Sequence, residues 1–303
     1  MKRWFFTLLF FLTLINAALA DDIRVYAKAV KFAPFQTEDV MLTSITWLSS
    51  TDDRFGGFSA LLKSKDGFIS VTDKGQIARF NPTFQKVTLA PLREKNDDPL
   101  KGKSRSDAES LAQGPDGLVW VAFERDHRIV PYNPAGYVMG KKRHLPKDIS
   151  VLSKNSGLEA IETLQDGRLV LLGEGKNKDD KIPMWVQGKK KGWKKYSLPK
   201  EDDFRATGLA RLPDGDDLLL LERFYKPAQG VRSRITLLDA YTGKRGRRVA
   251  EISSPTPVDN FEGISAHKNE AGEIVITLIS DDNFSILQRT LIMTLVMKKA
   301  PLN

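Results

Sequence analysis

The stretch EAIETLQDGRLVLLGE, Glu159–Glu174, decides the fold. Two apolar runs flank the Asp166-Gly167 pair, which is the pattern of a β-hairpin with a tight turn. Related stretches occur elsewhere: KSKDGFISVTD, AQGPDGLVWVAFE, RLPDGDDLLLLE and, with a longer turn, HKNEAGEIVITLISD. The turn aspartates are separated by 50, 50 and 48 residues along the chain: Asp66, Asp116, Asp166 and Asp214. Sustained helical periodicity is hard to find, so the chain is predicted to be all-β.

A repeat of this length that contains several strands is typical of β-propeller blades. Five repeats predict five blades, and a sixth degenerate blade assembled from both termini is the alternative. Each repeat is followed by apolar runs that predict four-stranded antiparallel blades: QIARF and KVTLA, RIVPYN and GYVMG, IPMWVQ and WKKYSL, RITLLDA and RRVAEIS.

The last repeat lacks its outermost strand after SILQRTLIMTLVM. The segment LTSITWLSS near the N-terminus has the composition of that missing strand. We therefore predict that N- and C-terminal strands pair to close the ring. A further strand, IRVYAKAVKF, has no predicted position, and residues 21–303 are interpreted as a single domain.

Oxygen-bearing side chains recur at two positions of the repeat. The first position opens the first strand of each hairpin, at Ser59, Glu109, Glu159, Thr207 and Glu262. The second closes the second strand, at Asp73, Glu124, Glu174, Glu222, and Asp281 with Asp282. In an antiparallel hairpin these two positions lie at the same end, and the innermost strands of a propeller line its channel. The acids should therefore converge on one channel mouth, with the Asp-Gly turns on the opposite face.

The N-terminus has the features of a secretory signal peptide. Lys2 and Arg3 precede an apolar run that ends at Ala18-Leu19-Ala20, so we predict a signal peptide at residues 1–20, with an uncleaved anchor as the alternative. Its removal lowers the net charge from +9 to +7, since Lys2 and Arg3 are lost. With no cysteine in the chain, a periplasmic or secreted protein stabilised by packing and by ions bound to oxygen ligands is expected.

Several motifs together resemble those of a known family. These are FGGFSALL (55–62), ISVTDKG (69–75), NFEGIS (260–265) and LISDDNFSILQRTLIMTL (278–295). They resemble the exported phytase-like domain family known as "esterase-like activity of phytase", over nearly all of the mature chain. The resemblance implies a β-propeller with a hydrolytic activity. By motif position it marks Asp73, Glu262, Asp281, Asp282, Asn283, Gln288 and Arg289.

The acids expected at the channel mouth predict a calcium site, because Ca²⁺ takes six to eight oxygen ligands. The predicted ligands are Asp73, Glu109, Glu124, Glu159, Glu174, Glu222, Glu262, Asp281, Asp282 and Asn283. The alternative is that each acid forms an ion pair with a neighbouring cation, namely Lys74, Arg125, Arg223 or Arg289.

A metal-dependent hydrolase of a phosphoester or another small ester could use the same groups. We predict Glu262, Asp281, Arg289 and His127 as its catalytic residues. Serine-nucleophile chemistry is disfavoured, since the stretch from Gly57 to Leu61 lacks the final glycine of G-x-S-x-G. The alternative function is a non-catalytic propeller that binds a ligand or a cell-envelope partner.

Two basic stretches, GKKKGWKK (188–195) and GKRGRR (243–248), are predicted on the face that carries the Asp-Gly turns. There they would be solvated hairpin tips or contacts with an anionic envelope surface. Nucleic acid is not expected as a partner of an exported protein without a binding module of that kind. No transmembrane segment is expected after signal cleavage.

Overall fold

The computed structural model of the chain describes residues 20–152, 157–174, 181–190 and 192–298. The predicted signal peptide, residues 1–20, lies outside this range except for Ala20. The chain begins with three strands, β1 (Asp21–Arg24), β2 (Tyr26–Ala29) and β3 (Val40–Ser49). Next come the strands of the first blade, β4 (Leu62–Ser64), β5 (Gly67–Val71), β6 (Gln76–Phe80) and β7 (Lys86–Pro91).

The second blade follows a short helix, α1 (Lys103–Ser106), and contains β8 (Ala108–Gln113), β9 (Val119–Phe123) and β10 (Arg128–Tyr132). The third contains β11 (Leu158–Thr163), β12 (Leu169–Gly173), β13 (Lys181–Gln187) and β14 (Trp193–Pro199). The fourth contains β15 (Arg205–Arg211), β16 (Leu218–Lys226), β17 (Gly230–Leu238) and β18 (Arg245–Ser253). The fifth contains β19 (Phe261–Lys268), β20 (Ile274–Ser280) and β21 (Thr290–Met297). Two 3₁₀ turns lie at Pro115–Gly117 and Ile149–Val151.

These strands form five antiparallel sheets. The innermost strands touch in a closed circle, β4 to β8, β8 to β11, β11 to β15, β15 to β19 and β19 back to β4. The fold is therefore a five-bladed β-propeller, which confirms the predicted architecture and decides between five and six blades. In the described residues, no helix has the length and apolar character that crossing a membrane requires.

The N-terminal strands close the ring. Strand β3 is the fourth strand of the fifth blade and pairs antiparallel with β21, from Leu48 opposite Thr290 to Val40 opposite Met297. This confirms the predicted pairing of the two termini. The segment without a predicted position divides between two blades, because β2 pairs with β3 on the fifth blade whereas β1 pairs with β7 on the first.

The second blade departs from the predicted four strands. Its outer segment, around Val138, makes only an isolated bridge to Tyr132. Its Met139 backbone N–H donates to the Pro131 carbonyl at 2.9 Å. Pro131 has no N–H to return, so one hydrogen bond of the ladder is missing and no regular strand forms.

Apolar side chains pack between neighbouring blades rather than in one central core. The second strands are the most deeply buried, with Val121, Leu171, Leu220 and Leu278 each without solvent contact. Because strands buried on both faces read as continuous apolar runs, these strands were visible in the sequence as VWVAF, LVLLG, LLLL and IVITLI. Packing on both faces leaves the strand ends as the places where polar side chains can gather.

Candidate functional site

A cavity of about 860 Å³ opens at one mouth of the channel. Residues from all five blades line it, and polar atoms dominate its wall. Among the described residues, nine acids line this cavity and only two bases, Lys103 and Arg223. The acids are Asp73, Asp107, Glu109, Glu124, Glu159, Glu174, Asp259, Glu262 and Asp281. We call this space the acidic mouth.

The acids that open each first strand reach the acidic mouth through β-bulges. The strand register shifts between Ala108 and Ser110, and again at the equivalent place in the third, fourth and fifth blades. The extra residue at each shift is Glu109, Glu159, Thr207 or Glu262. A bulge turns its extra residue out of the normal alternation, which aims these side chains at the channel. Thr207 itself is buried and donates a hydrogen bond to the Phe261 carbonyl at 3.1 Å.

The residues that follow each second strand complete the wall. Asp73, Glu124, Glu174 and Asp281 line the acidic mouth, but in the fourth blade Arg223 takes this position and Glu222 does not. Leu158 pairs with Gly173 in the third blade, and Ala206 pairs with Glu222 at the equivalent place. The Asp-Gly turn of the fourth blade is one residue longer than that of the third. A position counted along the sequence from the turn aspartate therefore falls one residue before its structural equivalent. A shift of one residue reverses the face of a strand.

Glu222 therefore points into the fourth blade and is fully buried. Its carboxylate accepts hydrogen bonds from Arg234 Nε at 3.0 Å and from Arg245 at 2.8 and 2.6 Å. Both guanidinium groups are also buried. Its predicted role as a calcium ligand at the channel mouth is therefore wrong, since the carboxylate is already satisfied inside the blade.

Three further predicted site residues lie beside the acidic mouth rather than on its wall. The Asp282 carboxylate accepts the Gly57 and Phe284 backbone N–H groups, both at 3.0 Å, and so shapes a loop. Arg289 Nε donates to the Asp259 carboxylate at 3.3 Å. His127 lies in the turn between β9 and β10, off the cavity wall. The structure does not bring Asp282, Arg289 or His127 to the cavity wall.

Asp107 is a member of the site that the sequence reasoning missed. Its carboxylate lies with those of Glu109 and Glu124, and one oxygen from each of the three falls within 4.8 Å of the others. The sequence does contain a pattern that could have identified Asp107. In two other blades a polar residue also lies two positions before the bulge residue, namely Arg205 and Asn260. Glycines at the same place in the first and third blades, Gly57 and Gly157, obscured it.

The gathering of acids perturbs their protonation. Burial, followed by the charge of Asp107 among its neighbours, holds the pKa of Glu109 well above its usual range. Burial and then the charge of Glu109 do the same for the pKa of Glu159. Burial also raises the pKa of Glu262 to about 8 and that of Asp281 to about 7, against opposing effects of Arg223. At neutral pH, protons therefore neutralise part of this cluster.

Cations reach the edge of the cluster but not its centre. Arg125 Nε lies 2.7 Å from Asp107, Arg205 lies 3.4 Å from Glu174, and Arg223 Nε lies 3.5 Å from Glu262. Within the described part of the chain, Asp73, Glu109 and Glu159 have no lysine or arginine within 4 Å. Ion pairs, the alternative to a bound metal, thus engage Asp107, Glu174 and Glu262, whereas Asp73, Glu109 and Glu159 take part in none that the described residues form.

The cavity also holds oxygen atoms that fit a cation. Among the described residues, the buried oxygens Asp73 Oδ1 and Asn260 Oδ1 have no hydrogen-bond partner. A buried acceptor without a partner is costly. Carboxylate and amide oxygens are the ligands that Ca²⁺ takes, so the donor set fits calcium and does not fit a metal that prefers nitrogen or sulfur.

A tightly hydrogen-bonded loop, residues 281–289, forms one side of the rim. Asp281 accepts the Asn283 N–H at 2.7 Å, Asp282 also accepts the Thr290 hydroxyl at 3.0 Å, and the Asn283 amide donates to Gln288 at 3.1 Å. The loop presents Ile286 and Leu287 to solvent, 101% and 89% exposed. Leu287 lines the acidic mouth together with Asn283 and the half-exposed Tyr225. One side of the acidic mouth is therefore bordered by apolar surface.

A protein-family model described as "Phytase-like: Esterase-like activity of phytase" matches residues 53–284. This range contains nearly the whole wall of the acidic mouth. No curated protein matches the sequence.

Solved structures with a similar fold belong to proteins whose named activities differ from one another. Glutaminyl cyclase from Myxococcus xanthus is 12% identical, with 91% of this chain and 99% of that chain covered and a TM-score of 0.46. An inactive variant of virginiamycin B lyase from Staphylococcus aureus is 12% identical, with 90% and 100% covered and a TM-score of 0.44. Hydrazine synthase from Kuenenia stuttgartiensis is 15% identical with a TM-score of 0.41; the match covers 80% of this chain but only 64% of that chain. Nothing about the substrate of this chain follows from these likenesses.

Proposed function

The chain belongs to the phytase-like family, and on that premise we propose that the acidic mouth is the active site of a calcium-dependent hydrolase of phosphoesters or related small esters. The observation that carries this proposal is the convergence, among the described residues, of nine carboxylates from four of the five blades on one open cavity, with only two bases among them. Acids so concentrated are stable only with protons or a cation, and a cation is what an anionic ester requires for binding.

Asp107, Glu109 and Glu124 would hold the calcium ion, since their carboxylate oxygens already lie within 4.8 Å of one another. Bound there, Ca²⁺ would supply positive charge for the phosphoryl or carbonyl oxygens of the substrate. Lys103 and Arg223 lie on the same wall and would add hydrogen-bond donors to the same anionic group.

Glu262 and Asp281 are suited to proton transfer near neutral pH. They lie at the paired ends of β19 and β20, where Phe261 is opposite Ser280. In hydrolysis a water oxygen bonds to the phosphorus or carbonyl carbon as the bond to the leaving oxygen breaks. The ionised Asp281 takes the proton of that water, and the protonated Glu262 gives one to the leaving oxygen. A pKa of about 8 for Glu262 and about 7 for Asp281 lets both forms exist at physiological pH.

The experiment is a hydrolysis assay on the purified mature chain with p-nitrophenyl phosphate, bis-p-nitrophenyl phosphate and p-nitrophenyl acetate, in Ca²⁺ or EDTA. We expect turnover only with Ca²⁺. Removing a general acid or base costs on the order of 10²–10⁴ in rate, so Glu262→Gln should be nearly inactive. Asp107→Asn should shift the Ca²⁺ requirement to higher concentration, because it removes one ligand charge.

Glu251→Gln is the matched control, since Glu251 is on the outer strand β18 and pairs with Arg248 away from the cavity. It should retain the wild-type rate. Turnover that persists in EDTA would show that the reaction does not need calcium. Equal turnover in the Glu262 and Glu251 variants would show that the acidic mouth takes no part in it.

The second candidate function is a non-catalytic propeller that binds an envelope partner, and the exposed apolar loop favours it. Ile286 and Leu287 are fully exposed although their loop is fixed by hydrogen bonds, and ordered exposed apolar residues commonly mark contact surfaces. Calcium-dependent thermal stabilisation without any turnover would support this candidate over the hydrolase.

The two faces can be compared by sedimentation with phosphatidylglycerol vesicles in Ca²⁺. If the acidic mouth faces the envelope, the Ile286→Ser, Leu287→Ser double variant should lose vesicle binding with an unchanged melting temperature. If the opposite face of the propeller faces the envelope, the Lys189→Met, Lys190→Met double variant should lose vesicle binding instead. In the second basic stretch, Arg245, Arg247 and Arg248 already pair with Glu222, Asp39 and Glu251, so the first stretch is the better cationic contact.

We infer export to the periplasm, or secretion, from the N-terminal sequence. The supporting features are the charged and apolar composition of residues 1–20 and the absence of cysteine from the chain. Mass spectrometry of the protein recovered from a bacterial periplasm should show a new N-terminus at Asp21. A chain that retains Met1 in the membrane fraction would indicate the uncleaved anchor.

A further inference from the structure

A second cavity of about 700 Å³ opens at the other mouth of the channel. It is lined by the far ends of all five innermost strands, including Lys63 on β4, Gln113 on β8 and His267 on β19. Among the described residues lining it, four bases face a single acid, Glu162. The lower mouth, as we call it, therefore has the opposite charge balance to the acidic mouth.

Two of these bases are already engaged in the fold. Lys268 Nζ lies 2.5 Å from the Asp214 carboxylate. Arg211 donates to the Thr163 carbonyl at 2.9 Å and to the Gly215 carbonyl at 3.0 Å. Glu162 is also satisfied, since it accepts the backbone N–H groups of Thr163 and Arg211.

Lys63 and Arg143 differ from these, because within the described part of the chain neither has a carboxylate within 4 Å. Among the described residues, Lys63 Nζ donates to the Ser64 carbonyl, and the charge of Asp66 partly opposes the effect of burial on its pKa. Arg143 stacks its guanidinium 4.1 Å from the Trp120 ring centroid, and its buried Nε has no hydrogen-bond partner among the residues that the structure describes. Burial disfavours the charged form of each and lowers both pKa values.

His267 adds a third nitrogen without a partner. Its buried Nδ1 has no hydrogen bond to any described residue, and its ring packs edge-on against Phe68 at 5.9 Å. Lys63 lies over the same Phe68 ring at 5.4 Å. The lysine and the histidine are thus held side by side on one wall of the cavity.

From these contacts we infer that the lower mouth is a binding site for a small polyvalent oxyanion of the phosphate class, held by Lys63, Arg143 and His267. Partly buried cations that have no counter-charge are costly, and an anion that forms charge-assisted hydrogen bonds removes that cost. The Trp120 face beneath Arg143 fixes the plane of the guanidinium, which favours two parallel hydrogen bonds to one oxyanion. The site is independent of the hydrolase proposal, since it lies at the opposite end of the channel.

Calorimetric titration of inorganic pyrophosphate into the full mature chain tests this inference. EDTA is included so that no metal can carry the anion to the acidic mouth. A charge-assisted hydrogen bond contributes about 1.5–3 kcal/mol, so Lys63→Met and Arg143→Gln should each weaken binding about tenfold or more. Lys244→Met, on a hairpin of the same face but off the cavity wall, and Glu262→Gln, in the acidic mouth, should bind as the wild type does.

A measurement on the wild-type chain avoids any dependence on folding of the variants. Pyrophosphate should protect Lys63, and not Lys244, from acetylation by an amine-reactive reagent, as read by peptide mass spectrometry. Absence of binding, equal affinity in all variants, or unprotected Lys63 at saturating pyrophosphate would each overturn the assignment.

Discussion

Glu262→Gln should change how the stability of the metal-free protein depends on pH. In the folded chain the pKa of Glu262 is raised from 4.5 to about 8, chiefly by burial. Between pH 5.5 and 7.5 the folded protein therefore keeps a proton that the unfolded chain has lost. A proton held only by the folded state makes the free energy of unfolding fall by about 1.4 kcal/mol per pH unit as the pH rises.

Over these two pH units, Glu262 alone accounts for a loss of about 2.7 kcal/mol. Glutamine keeps the shape of the side chain and does not titrate, so the variant loses this part of the slope. Relative to the wild type, Glu262→Gln should become more stable by that amount as the pH rises from 5.5 to 7.5. Asp281, whose pKa is raised to about 7, also loses stability with rising pH in both proteins, so the difference between the two profiles is what reports on Glu262.

The assay is urea unfolding followed by tryptophan fluorescence in EDTA at pH 5.5, 6.5 and 7.5. Glu270→Gln is the control, because Glu270 is exposed on the turn between β19 and β20, and its curve should run parallel to the wild type. Adding Ca²⁺ at a hundred times its Kd should stabilise the wild type by about 2.7 kcal/mol, and more strongly at pH 7.5 because protons compete with the metal. Parallel pH profiles for Glu262→Gln and the wild type would refute the reasoning.

Two other substitutions test the packing around the site, with urea unfolding as the measurement for both. Glu222→Ala leaves Arg234 and Arg245 buried without their carboxylate and should cost about 3–5 kcal/mol, while Glu222→Gln should cost less; equal losses would show that charge pairing is unimportant there. Gly57→Ala places a Cβ 2.3 Å from the Phe284 ring at a backbone φ of +65°, so it should destabilise the protein by more than about 1 kcal/mol, and an unchanged midpoint would mean that the loop moves freely.

The propeller was predictable because its signals are local. An Asp-Gly turn between two apolar runs specifies a hairpin wherever it occurs, and its recurrence specifies the blades. The closing strand β3 was also predictable, since the fifth blade lacked a partner on its open edge. The missing strand of the second blade was not, because the effect of Pro131 depends on which edge of β10 it faces.

The candidate site was predictable only where the repeats keep the same spacing. Glu109 and Glu159 reach the acidic mouth because their bulges fall at equivalent places. One added residue in the fourth turn was enough to exchange Glu222 for Arg223, since side chains alternate along a strand. Arg125, Arg223 and Arg289 were identifiable in the sequence as pairing cations, but the acid that each contacts was not, because that choice depends on the folded arrangement.

Ring closure by β3 has a consequence for biogenesis. The strand is made early, but its partner β21 is separated from it by more than 240 residues, as in the pair Leu48 and Thr290. Until β21 is synthesised, β3 has no partner there and the edge of β20 stays open, and an unpaired edge invites aggregation. Contacts of such long sequence separation also form slowly. A chain truncated before Thr290 therefore cannot close the propeller. During synthesis, the unpaired strand edges need protection from aggregation until the last strand is available.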